Sequence, residues 1–248
     1  EYQFALRAFE NFDYKNSSFN STYQRDTFLR MGDCSFALKK YWPAMEFYNK
    51  AIAINERKGA YPSFQKAISY GFVDRNIKKI ETLIMLESKY PNDPLLDDTL
   101  YELASAYSRE GNFSKAIETY NRLLKKFKIS PYKAKALLSK GLIFYNTERF
   151  DAARKVLENV AVSFKGYSVS QQALITLREI AVDQGNVDGF SKWIRSQGFT
   201  NFTDVQLEKT AFIAAEKRFL EGNSNAAERL LTEYLENYPQ GTYFISAT

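Results

Sequence analysis

Histidine, the side chain that most often moves protons near neutral pH, is absent from this 248-residue chain, and cysteine occurs once, at Cys34. Ser-His and Cys-His nucleophile pairs and the usual zinc ligand sets therefore lack members. A lone cysteine forms no internal disulfide, and Cys34 reads as a small buried helix residue rather than a nucleophile. Carboxylates fall into two suggestive pairs, Asp97-Asp98 and Glu208 with Glu216. The first pair stands where a helix would begin, a position at which acids stabilise the N-terminal dipole without any catalytic role. The glycines are isolated, which excludes the common phosphate-binding loops. The chain is read as non-enzymatic, with no cofactor and no metal.

Lysines cluster at Lys39-Lys40, at Lys78-Lys79 and in a group of Lys125, Lys126, Lys128, Lys133, Lys135 and Lys140. The net charge of +5 and a pI near 9.0 suit weak association with nucleic acid or an anionic membrane surface. Solvated helix surface is the reading adopted, because acids are interspersed elsewhere and no nucleic-acid module signature is present. Asn-x-Ser/Thr sequences begin at Asn16, Asn20, Asn112 and Asn201 and matter only in a secreted eukaryotic protein. No run approaches the roughly 18 apolar residues that would mark a membrane-spanning helix.

The elements that position these residues follow from composition and period. With 45% hydrophobic and 25% charged residues, 11 Gly and 6 Pro, the chain favours helices joined by short connections. One frame recurs: a turn, an aromatic, Ala, then apolar residues four and seven further on. It is clearest at Gly111-Asn112-Phe113 with Ala116, Tyr120 and Leu123, and at Phe150 with Ala153, Leu157 and Val160. The anchor positions are Ala5, Ala44, Lys79, Ala116, Ala153, Phe190 and Ala227, separated by 39, 35, 37, 37, 37 and 37 residues. Before each turn a second apolar stripe has helical period, as in Leu100, Leu103, Ala104 and Tyr107. Each unit is therefore two amphipathic helices, which must stack on neighbours to bury their apolar faces. Gly32, Ala104, Gly141 and Ala215 are expected where paired helices approach most closely.

The pattern resembles the tetratricopeptide repeat family, most completely at Ala104, Tyr107, Ala116, Tyr120 and Leu123, and the resemblance runs from Tyr2 to Tyr238. It implies an all-α, right-handed superhelical solenoid of antiparallel helix pairs. The unit of about 37 residues exceeds the family's usual ~34. Lys79 and Phe190 replace the anchor Ala, so the second and fifth units are degenerate. Expected boundaries are 1–19 for the second helix of a truncated repeat, then repeats at 20–57, 58–94, 95–130, 131–167, 168–202 and 203–241, with 242–248 opening another. The chain is expected to continue beyond both ends, and exposed apolar ends would favour end-to-end self-association. The Tyr-Pro endings at Tyr90-Pro91 and Tyr238-Pro239 are similar to those of bacterial extracytoplasmic members of the outer-membrane-assembly lipoprotein type, which implies the periplasm or cell envelope, with the cytoplasm as the alternative.

The family's mode of action implies a protein or peptide partner held in a concave groove along the first helix of each unit. On this chain the groove would be lined by Phe36, Phe64, Phe72, Tyr101, Arg109, Tyr145, Asn146, Phe212 and Glu216, the aromatics as anchors and Arg109 and Asn146 as polar fixing points. The competing reading of the aromatics is packing between neighbouring units. The functional reading is a protein-interaction scaffold; the alternative is an accessory or regulatory repeat domain of a larger enzyme or envelope complex.

Overall fold

The computed structural model describes residues 1–15, 21–200 and 202–248; Asn16, Asn20 and Asn201, and the expected boundary at 19/20, lie outside the described residues. The described residues form helices and turns with no β-strand. In chain order they are α1 (Tyr2–Lys15), α2 (Ser21–Ala37), α3 (Tyr41–Ile54), α4 (Ala60–Phe72), α5 (Asn76–Lys89), α6 (Leu96–Arg109), α7 (Phe113–Lys126), α8 (Lys133–Asn146), α9 (Phe150–Ser163), α10 (Ser168–Gln184), α11 (Val187–Ser196), α12 (Asp204–Leu220), α13 (Ser224–Asn237) and α14 (Phe244–Ala247). Contacts divide the chain into two units, Glu1–Ala136 and Leu137–Thr248.

Within the first unit α2 pairs with α3, α4 with α5 and α6 with α7, and each pair packs on the next through α3 against α4 and α5 against α6. This is the antiparallel helix-pair stacking of a solenoid. Leu6, Phe28, Met31, Cys34 and Ala51 make one core cluster, and Ala67, Leu83 and Leu103 another. Cys34 is buried, and burial, followed by the neighbouring Asp33 charge, pushes its thiol up, away from the reactive thiolate. The second unit stacks α9, α10 and α11, then α12 and α13, around Leu157, Leu174, Leu177, Ile180 and Tyr234.

Close approach happens at glycine. A Cβ on Gly32 would lie 2.5 Å from the Tyr48 ring, and one on Gly141 would lie 2.6 Å from Leu157. The anchor residues Ala44, Ala116, Ala153 and Ala227 are all buried, where a larger side chain would push paired helices apart. At Lys79 the same position is filled differently: the Lys79 stem lies beside Gly71, and its ammonium reaches Glu102 at 2.5 Å.

The turns between paired helices share one conformation. A residue with positive φ sits at Lys39, Asp74, Gly111, Glu148, Gly185 and Gly222, each one or two residues before a helix begins. Where that residue is glycine, an asparagine follows. Asn112, Asn186 and Asn223 cap α7, α11 and α13 by accepting from the backbone N–H three residues on. Where it is Lys39, Asp74 or Glu148, the next residue is Lys40, Arg75 or Arg149 and makes no side-chain cap.

Candidate functional site

In the second unit, α8, α10 and α12 supply one cleft of about 520 Å³, lined by Tyr145, Arg178, Glu179, Val182, Asp183, Gln206, Lys209, Thr210 and Ile213. Helical period brings these together: Arg178, Val182 and Gln206, Lys209, Ile213 step along their helices by three or four residues. Asp183 organises the wall. Its carboxylate accepts from the Tyr145 hydroxyl at 3.1 Å and from Lys217, and its backbone carbonyl accepts from Arg218. Three helices are thereby fixed around the cleft.

Arg178 and Lys209 make no ion pair with a carboxylate among the described residues, so both cations are available to a ligand. Val182 and Ile213 offer apolar surface, and Gln206 and Glu179 offer hydrogen-bonding groups. This mixture suits an extended peptide, whose amides need donors and acceptors and whose side chains need apolar contact. Among the described residues no group of three or more Cys, Asp or Glu side chains forms a metal-ligating cluster.

The residues expected to line a groove fall into several settings. Phe36 and Phe72 come together with Tyr41: the Tyr41 and Phe72 rings stack at 4.7 Å and Phe36 meets both edge-on. Phe72 remains 59% exposed and so presents one face to solvent. Phe64 packs against the Ala67, Leu83 and Leu103 core. Tyr101 stacks on Tyr132 at 4.7 Å, and Phe212 stacks on Tyr243 at 4.6 Å. Tyr145 is in the cleft, half-buried. Arg109, Asn146 and Glu216 are exposed. Arg178 and Lys209, unmarked by the sequence pattern, are single charges on helices expected to be amphipathic, and no motif or spacing sets them apart.

The tyrosines around these surfaces are held neutral. Burial, then hydrogen bonding to Asp183 and the charges of Asp183 and Glu179, push Tyr145 up to about 12 from 10.0. Burial, then a 2.8 Å bond to Asp33 and its charge, push Tyr61 up to about 12. Between pH 10 and 12 the unfolded chain therefore loses phenolic protons that the folded chain keeps, and stability falls as pH rises through that window. In an alkaline titration, part of the phenolate absorbance is expected to appear only together with loss of the helical circular dichroism signal. Complete tyrosine ionisation near pH 10 with the helices intact would contradict this.

Residues 101–167 match the tetratricopeptide repeat family model. No curated protein matches the chain by sequence. Among solved structures, a tetratricopeptide repeat protein from Parabacteroides merdae superimposes with a TM-score of 0.61 at 12% identity, covering 98% of this chain and 88% of that one. PilW, described as a widely conserved type IV pilus biogenesis factor, gives a TM-score of 0.54 at 14% identity, with 90% and 97% covered. YrrB, described as a tetratricopeptide repeat protein with an unusual peptide-binding site, gives 0.50 at 13% identity, with 98% of each chain covered. At such identities the likeness is one of fold.

Proposed function

We propose that this chain, whose fold is that of tetratricopeptide repeat proteins, is a protein-interaction scaffold that holds an extended peptide segment of a partner along the first helices of its pairs and carries out no chemistry itself. The observation that supports the reading best is the cleft between α8, α10 and α12, where rigidly set walls surround two cations without carboxylate partners. The fold makes extended binding surfaces of stacked helices, and YrrB's description names a peptide-binding site on the same fold. The repeat boundaries belong to this proposal, as do Phe36, Phe72 and Arg109 as binding residues of the first unit and, separately, Asn146 and Glu216 as binding residues of the second. A place at the bacterial envelope is part of it too, supported by the likeness to PilW, since a pilus is assembled there.

Affinity capture from a bacterial envelope extract tests the reading. The chain is compared with an Arg178→Ala, Lys209→Ala variant, whose substitutions remove charge without touching the buried core. A partner bound by the parent is expected to bind the variant at least about tenfold more weakly, the scale of one or two charge-assisted hydrogen bonds. Equal retention by two equally helical proteins would show that the cleft is not the binding surface.

A further inference from the structure

We infer that the turn between α7 and α8 in the first unit is a docking loop for an anionic lipid bilayer. Between Glu118 and Ala136 the chain carries Arg122 and five lysines and not one Asp or Glu. Arg122 is paired with Glu87, and Lys126 donates to the Pro91 carbonyl at 3.0 Å. Lys125, Lys128, Lys133 and Lys135 are exposed and, among the described residues, form no ion pair. In their midst Ile129 is 98% exposed.

The loop is held in this pose from its base. Ser130 donates to Asp97 at 2.8 Å, Tyr132 donates to Asp98 at 2.5 Å, and the Tyr132 ring stacks on Tyr101. Asp97 and Asp98 of α6 are thus engaged as acceptors at the base of the turn, where they offset part of its positive charge, while Asp93 of the neighbouring turn caps the Leu95 N–H. Among the exposed side chains from Lys125 to Lys135, four unpaired cations surround one apolar tip, Ile129. Lysines lower their free energy near a negatively charged leaflet, and an isoleucine ahead of them gains by entering the headgroup region. A nucleic acid would use the lysines too, but it takes an aliphatic side chain only at a thymine methyl or at the cost of unstacking a base step, whereas the headgroup region takes it without that cost. The tip is what favours a bilayer.

Co-sedimentation with vesicles of phosphatidylcholine, with and without phosphatidylglycerol, tests the assignment on the whole chain. Binding is expected only to the phosphatidylglycerol vesicles and should weaken as salt rises. Lys128→Glu with Lys133→Glu is expected to reduce it at least about tenfold, and Ile129→Ser about fivefold at unchanged charge. These side chains lie on the surface, so unchanged circular dichroism is the control for folding. Failure to sediment with anionic vesicles at low salt would overturn the proposal. So would binding indifferent to Ile129→Ser and equally strong to a duplex oligonucleotide, which would mark the lysines as a general polyanion surface.

Discussion

Tyr48→Ala is expected to lower the unfolding free energy of the first unit by about 4 kcal/mol, at the upper end of the range for aromatic truncation. Tyr48 is fully buried on α3, and its ring covers Gly32 on α2, where not even a methyl group fits beside it. Removing the ring leaves a void bordered on one side by a residue with no side chain to move in. The hydroxyl also donates to Asp33 at 3.0 Å, leaving that carboxylate with Tyr61 alone. The converse change, Gly32→Ala in the native background, forces a Cβ to within 2.5 Å of the ring and should cost about 1–3 kcal/mol. The two together should cost less than their sum, because the new methyl occupies part of the void. Denaturant unfolding followed by circular dichroism measures all three. A loss below about 1 kcal/mol for Tyr48→Ala would mean that the two helices close over the gap.

Glu102→Ala should be nearly as damaging, at about 3 kcal/mol, for an electrostatic reason. Lys79 is 8% exposed, with its stem enclosed next to Gly71, and Glu102 is its carboxylate partner. The glutamate side chain keeps 28% of its surface open, so water softens the loss on its side; the lysine, at 10%, has far less recourse. Stranding a nearly buried ammonium is the expensive half of breaking such a pair. Lys79→Met added to Glu102→Ala should bring stability back to within about 1 kcal/mol of the parent, since a flat apolar stem fills the same channel without charge. If the double variant is as unstable as Glu102→Ala alone, packing around the stem rather than the stranded charge sets the loss.

These two sites differ in how far they could be read beforehand. Gly32 and Gly141 were expected at close helix approaches because repeats place small residues there at a fixed offset, and the packing that demands them is the same in each pair. Lys79 could be seen only as a departure from the anchor alanine. Its remedy lies on two other helices, in Gly71 and Glu102, and no period within α5 encodes either. The aromatics set a harder problem. Phe64, Tyr101, Phe212, Phe72 and Tyr145 occupy corresponding helical faces, yet Phe64 packs on a core cluster, Tyr101, Phe212 and Phe72 stack on Tyr132, Tyr243 and Tyr41, and Tyr145 lines the cleft. Whether an aromatic on such a face packs or waits for a ligand depends on the neighbour opposite, which spacing along one helix does not specify. The cleft cations Arg178 and Lys209 were hidden for a related reason: one exposed charge on an amphipathic helix looks like any other until three helices converge on it.

The helix-pair turns carry a consequence for the order in which the chain assembles. All six place one residue in a left-handed conformation, which costs a side-chain-bearing residue roughly 1–2 kcal/mol and glycine little. The Gly-Asn turns at 111–112, 185–186 and 222–223 add a helix cap worth about 1 kcal/mol, and the turns at Lys39, Asp74 and Glu148 have neither advantage. Hairpin closure is a local event that precedes the docking of one pair on the next. In the first unit, α6 and α7 are therefore the pair best equipped to close early, and α4–α5 and α2–α3 have more to gain from docking on a neighbour that is already formed. In the second unit, α10–α11 and α12–α13 hold the same lead over the turn at Glu148, so folding is expected to start from the glycine turns and spread to the charged ones.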